Sequence, residues 1–173
     1  MKVILYMVIS VNGIISKKDG IEDFISLRGW EEAVKLAKKY GNLIWGRRTY
    51  ENAFKVLRQS DLDQIKAVDK IVISENKNLK LIPGFHRIES PEKAIDYLEK
   101  KGFKTSLLDG GATLNSFFAK SKMIDEIIFL VEPVVVGDGI PVFASEDFEI
   151  KLELLQSEKL DGRILKLQYS VIK

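Results

Sequence analysis

Short runs of apolar, largely β-branched residues recur along the chain at 3–9, 43–45, 70–73 and 105–108, each flanked by Gly, Asn, Asp or Ser. Hydrophobicity that is continuous, not alternating, means that both faces are covered, so these runs read as inner strands of a sheet with helices on either side. The segments between them carry helical periods. In 30–40, Trp30, Ala33, Val34, Ala37 and Tyr40 share one face. Ser90-Pro91 supplies an N-cap and a first-turn proline, Ala94, Ile95 and Leu98 form a stripe, and Gly102 stands at the stop. Two further helices start after Arg48-Thr49, with Ala53, Phe54 and Leu57 inward, and after Gly110-Gly111, with Leu114, Phe117 and Phe118 inward.

The last third has a different pattern. A long apolar strand over 124–136 is interrupted only by Glu132-Pro133, and 163–171 alternates Leu165, Leu167, Tyr169 and Val171 with polar residues. Asp161-Gly162 tolerates the positive φ of a tight turn and joins that strand to the Leu152, Leu154 segment. The expected architecture is α/β: one domain over 1–173, a mixed β-sheet flanked by helices and closed by a C-terminal antiparallel hairpin. The longest stretch without a period, 12–27, is read as a functional loop, and Gly137-Asp138-Gly139-Ile140-Pro141 as a loop without the last Gly of a dinucleotide fingerprint.

Composition removes whole classes of chemistry. The chain has no Cys and a single His, His86, so redox dithiols, thiol nucleophiles and His-based triads lack their parts and no metal site is expected. Lys and Arg number 27 against 25 Asp and Glu, for a net charge of +2. The basic residues are scattered, which disfavours nucleic acid as a partner despite a pI near 8.6. The apolar run at the N-terminus is ended by Ser10-Val11-Asn12-Gly13 without a small-residue cleavage site, and it reads as a strand. No other run reaches the ~20 apolar residues of a membrane span. A cytoplasmic location is expected.

Chemistry concentrates at two strand-to-helix junctions, Trp45-Gly46-Arg47-Arg48-Thr49 and Asp109-Gly110-Gly111-Ala112-Thr113-Leu114. Free N–H groups and the positive dipole end suit a phosphate there, Gly permits close backbone approach, and Thr49 or Thr113 offers a hydroxyl. Two such junctions can grip one diphosphate, with Arg47 and Arg48 as a cationic fork for a further phosphate. The plain alternative is that each Gly serves a turn and both arginines are solvated. Glu31 and Glu32, opening a helix, suit its dipole as well as an acid's role.

These residues resemble the dihydrofolate reductase-like superfamily, and within it the reductase domain of the riboflavin-biosynthesis deaminase-reductase. Ser10-Val11-Asn12-Gly13-Ile14-Ile15 is similar to the family's opening after the first strand, and Gly46-Arg47-Arg48-Thr49-Tyr50-Glu51 to its Gly-Arg-x-Thr-Tyr-Glu segment. Val72-Ile73-Ser74, Asp109-Gly110-Gly111-Ala112-Thr113-Leu114 and the Pro133–Phe143 block resemble its later motifs in the same order. The resemblance implies NADPH held by Ser10, Val11, Gly46, Arg47, Arg48, Thr49, Ser74, Gly110, Gly111, Ala112, Thr113 and Leu114, with Ser74 at the 2′-phosphate. It implies Asn12 and Trp30 at the substrate and Glu31 as the candidate acid, in a homodimer. The substrate is then a small pyrimidine or pterin: a ribosylamino-pyrimidine phosphate of riboflavin synthesis, or dihydrofolate. A dinucleotide-binding module without catalysis is the alternative from a different class.

Overall fold

The computed structural model describes residues 1–173. Ten strands and five helices run in the order β1 (Lys2–Ser10), β2 (Ile14–Lys17), α1 (Leu27–Tyr40), β3 (Asn42–Gly46), α2 (Arg47–Val56), α3 (Gln59–Gln64), β4 (Asp69–Ile73), β5 (Phe85–Ile88), α4 (Pro91–Lys100), β6 (Thr105–Leu108), α5 (Ala112–Lys120), β7 (Glu126–Glu132), β8 (Gly139–Pro141), β9 (Lys151–Leu160) and β10 (Ile164–Ile172). Eight strands form one sheet in the order β5-β4-β3-β6-β1-β7-β10-β9. The six from β5 to β7 are mutually parallel, and β10 is antiparallel to both of its neighbours.

The continuous runs are inner strands because the core lies on both faces. Ile4, Tyr6 and Val8 of β1 pack with α1 and with Tyr50, Ile65 and Val68 on one side. Val3, Leu5, Met7 and Ile9 pack with Ala94 and Leu98 of α4 and Phe118 and Ala119 of α5 on the other. The start and stop signals of α4 are realised: Ser90 Oγ accepts the Lys93 N–H (3.3 Å), Pro91 is the first helical residue and Gly102 lies at φ +88°. The Phe103 N–H reaches the Leu98 carbonyl (3.1 Å) and the Gly102 N–H that of Glu99 (2.9 Å), the paired bonds of a Schellman stop. Asp161 and Gly162 sit at φ +48° and +76° in the β9–β10 turn.

Several expectations need correction. Helix α1 begins at Leu27, three residues before the periodic stretch, so Glu31 and Glu32 lie in its second turn and do not cap it. Phe117 faces solvent while Phe118 is fully buried, because residues one apart on a helix are turned by about 100°. Strand β7 stops at Glu132, where Pro133 has no N–H for the ladder. Gly139–Pro141 is not simply loop: it pairs with β2 as a separate two-stranded sheet.

The sheet has one seam with little ladder. Strand β3 meets β6 in register only at Ile44–Leu108, and the fully buried Asn42 closes the gap. Its amide donates to the carbonyls of Tyr40 (3.0 Å) and Thr105 (2.7 Å) and accepts the Leu107 N–H (3.1 Å). Asn42→Ala strands three backbone groups and is expected to cost roughly 3 kcal/mol, about 6–12 °C in Tm. Thermal unfolding checks this, and an unchanged Tm contradicts it.

Candidate active site

The seam between β3 and β6 is also where the chain parts. After β3 it leaves through α2 toward β4, on the face that carries α1; after β6 it leaves through α5 in the opposite direction, over the other face, toward β7. Adjacent parallel strands whose connections diverge leave a crevice at their C-terminal ends. Both glycine junctions lie at this crevice.

One carbonyl ties them together. Gly110 O accepts the Gly46 N–H (3.3 Å) and the Thr49 hydroxyl, while the Asp109 N–H donates to Ile44 O (2.9 Å). Neither α2 nor α5 has a side-chain cap or an acidic residue in its first turn. Their leading N–H groups therefore keep their affinity for an anion. Gly111 sits at φ +111°, ψ 148°, and a Cβ there would lie 2.8 Å from Thr49 Oγ1. At Gly110 it would lie 2.1 Å from Asn115 Oδ1. Both glycines are required by space, and Gly111 also by a conformation that L side chains rarely adopt. Leu114 packs beside Gly46, and Thr113 is exposed. The start of α5 is anchored by Asn115 to Val142 O (2.8 Å) and by the Ala144 N–H to Ala112 O (3.3 Å).

Other expected residues surround this centre. Gly46 pairs with Ile73, so Ser74 emerges beside the α2 N-terminus; it is buried and its carbonyl accepts from Arg87 Nη1 (2.8 Å). Arg87, on β5, was not anticipated, since nothing local in Phe85–Ile88 marks it. Arg47 is engaged by Glu51 through one nitrogen (2.9 and 3.0 Å), whereas Arg48 forms no ion pair.

At the other wall, Leu5 of β1 pairs with Leu108, so Tyr6–Ser10 continue roughly 16 Å past the end of β6. Val11, beyond them, is 62% exposed. The Ser10 side chain is wholly buried and committed, donating to Asn12 Oδ1 (2.8 Å) and accepting the Ile14 N–H (2.9 Å). The Asn12 amide is equally occupied, accepting the Val136 N–H (3.1 Å) and donating to Val136 O (2.7 Å). These bonds commit both side chains to shaping the loop. Trp30 packs against the core on the α1 side, with its buried indole N–H unpartnered. Glu31 lies on the outer face of α1 with its side chain 59% exposed and paired to Arg28 (3.0 Å). This placement does not fit a proton donor in the crevice.

Two acidic groups not anticipated as functional lie nearer. Asp109, next to the glycine turn, accepts the Trp45 Nε1–H (3.0 Å); burial pushes its carboxyl up to about 6, against the lowering by that bond. Glu22, on the loop between β2 and α1, is raised to about 7 by the protein around it and by the Asp109 charge. Glu22 is nevertheless solvent-exposed in its loop, so water offsets part of that rise, and Asp109 is the better insulated of the two. At the end of β7 the buried Glu132 accepts the Ser26 N–H (3.0 Å) and hydroxyl (2.5 Å), fixing where α1 begins at the rim.

Comparison with known proteins places the chain in a family. The profile of the RibD C-terminal domain matches residues 1–166. The chain belongs to that family. Bacillus subtilis YwjB is 28% identical over 186 residues, covering 97% of each chain. The 2,5-diamino-6-ribosylamino-4(3H)-pyrimidinone 5′-phosphate reductase of Aquifex aeolicus is 28% identical over 87 residues, covering 47% of this chain and 39% of that one. Among solved structures, the dihydrofolate reductase of Enterococcus faecalis in complex with NADP(H) has a TM-score of 0.76 at 14% identity, covering 99% of this chain and 97% of the other. The RibD C-terminal domain fold is thus a dihydrofolate reductase-like one, with a central, mostly parallel sheet, flanking helices and an antiparallel pair at the C-terminus. No helix is long and apolar enough to cross a membrane.

Proposed function

We propose that the protein is an NADPH-dependent reductase that delivers hydride to a ribosylamino-pyrimidine phosphate, 5-amino-6-(5-phosphoribosylamino)uracil or its diaminopyrimidine counterpart. The observation that carries this reading is the shared Gly110 carbonyl, which joins two uncapped helix N-termini around Gly111, where a side chain would crowd Thr49. The donor set fits a diphosphate: the N–H groups of Arg47, Arg48 and Thr49 that follow Gly46 on one side, and the turn of Gly110, Gly111, Ala112, Thr113 and Leu114 on the other; the Gly46 N–H and the Thr49 hydroxyl are spent on Gly110 O and hold the two sides together. Ser74, Arg48 and Arg87 suit a 2′-phosphate. Strand β1, which runs on from Tyr6 beside Asp109 to Ser10 and Val11, is the wall along which the far end of an extended dinucleotide lies. Bound NADPH supplies the hydride.

The reduction also consumes one proton. Asp109 holds it, with a carboxyl protonated over much of the weakly acidic range and screened by Trp45. The exposed, Arg28-paired Glu31 is given no part in proton transfer, in keeping with a ribosylamino substrate, which needs no acid on α1. Glu31→Gln is therefore expected to change turnover of the pyrimidine phosphate by no more than about threefold, against the ~10²-fold loss that removal of a working acid produces. Trp30, with its free indole N–H, remains a substrate-side donor in this reading. The homodimer is part of it too: β9 is an edge strand, and Leu152, Leu154 and Leu165 are exposed on the same face of the β9–β10 pair, a surface suited to a second copy. The cytoplasm is the compartment such a biosynthetic role requires.

Cofactor preference tests the assignment. Isothermal titration should show NADPH binding at least tenfold more tightly than NADH. Arg48→Ala should narrow that ratio more than Arg47→Ala, because Glu51 already engages Arg47. Equal affinity for the two cofactors in the unmodified protein contradicts the reading.

A further inference from the structure

At the opposite edge of the sheet, where β3, β4, β5 and β6 begin, lies a groove of ≈ 520 Å³. Its walls carry three lysines, Lys66, Lys70 and Lys101, with His86 and a single carboxylate, Asp69. Asp69 is already answered: Lys101 Nζ lies 2.5 Å from it, His86 Nε2 3.6 Å, and the Tyr97 hydroxyl 3.4 Å. The groove thus keeps a surplus of positive charge.

Lys70 is the unusual member. It is only 5% exposed, and its ammonium donates to Ile65 O (3.0 Å) and Val68 O (2.8 Å). Those bonds use two of its three N–H donors; the ammonium also lies over the Phe85 ring, 5.5 Å from its centroid, and no oxygen acceptor meets the third N–H. Burial draws this ammonium below the ordinary lysine range, against the opposing pull of Asp69. An anion reaching the third N–H would relieve that cost. The approach is left open by Gly84, at φ +88°, where a Cβ would lie 3.7 Å from Lys70 Nζ.

We propose that this groove is a second ligand site, which takes a small phosphate-class oxyanion between Lys66, Lys70, Lys101 and His86. A phosphate offers enough acceptor oxygens to meet several converging donors by charge-assisted bonds. The site lies across the sheet from the glycine junctions and stands independently of the function assigned there.

His86 is the only histidine in the chain, so its ring protons are a resolved NMR reporter in the intact protein. Inorganic phosphate, titrated at constant pH and matched ionic strength, should shift the ring signal saturably with a half-point in the low millimolar range. Ribose 5-phosphate in a parallel titration distinguishes the source: tighter binding than inorganic phosphate identifies a phosphomonoester, and weaker binding identifies the free ion. Lys66→Met, an exposed position whose loss leaves the core untouched, should weaken the half-point roughly tenfold. Gly84→Asn, which tolerates the left-handed backbone and covers Lys70, should abolish saturation. A linear shift with both probes, or a saturable one unchanged by Lys66→Met, overturns the proposal.

Discussion

Gly111→Ala is expected to reduce NADPH affinity per folded molecule by 10²-fold or more. A methyl group at that position points at Thr49 Oγ1 from 2.8 Å, so either the glycine turn or the start of α2 must move, and the two sets of N–H groups lose their common centre. The same change strains a backbone at φ +111°, ψ 148°, costing about 1–3 kcal/mol of stability. The two effects separate in measurement: circular dichroism reports the folded fraction, and titration of that fraction reports affinity. Affinity unchanged while stability falls would reduce Gly110-Gly111 to a turn and remove the diphosphate site.

Asp109→Asn has the second large effect. The amide oxygen can still accept from Trp45 Nε1, so the fold is retained, but the group can no longer release a proton. Turnover should fall by ~10²-fold with NADPH binding little changed. In the unmodified protein, turnover should decline as pH rises through about 6, displaced upward where bound phosphates lie near the carboxyl. Stability has a matching sign. A carboxyl whose folded value is raised binds more protons folded than unfolded, so its contribution is greatest below its unfolded value and is lost as pH rises through about 6. Asp109→Asn should flatten that part of the stability profile, which urea unfolding at several pH values follows. A variant with full turnover and an unaltered pH profile would show that the proton comes from elsewhere.

The parts of the fold that were legible in the sequence are those decided locally. Strand β1 reads as buried because every residue from Val3 to Ile9 is apolar, and α4 is bounded by residues whose cap and stop chemistry lies within a few positions. The glycine junctions were legible for the same reason. What was not legible rests on distant partners. Strands β2 and β8 are four and three residues long and exist because they pair across more than 120 positions of chain. Glu32 looks like a residue suited to a helix start, yet it is buried and bonded to Lys166 (2.7 Å) on β10. Asn12 looks like a ligand-facing polar residue, yet the Val136 backbone occupies its amide. Asp109 gains its character from burial and from Trp45, 64 positions away, neither of which a local motif reveals.

The central claim is hydride transfer from NADPH to a ribosylamino-pyrimidine phosphate, and the most direct test is NADPH oxidation followed at 340 nm with that substrate and, separately, with dihydrofolate. The account predicts oxidation that saturates with the pyrimidine phosphate and is slight with dihydrofolate. Tight NADPH binding without oxidation by either compound, as a non-catalytic module would show, or robust turnover of dihydrofolate, would contradict it.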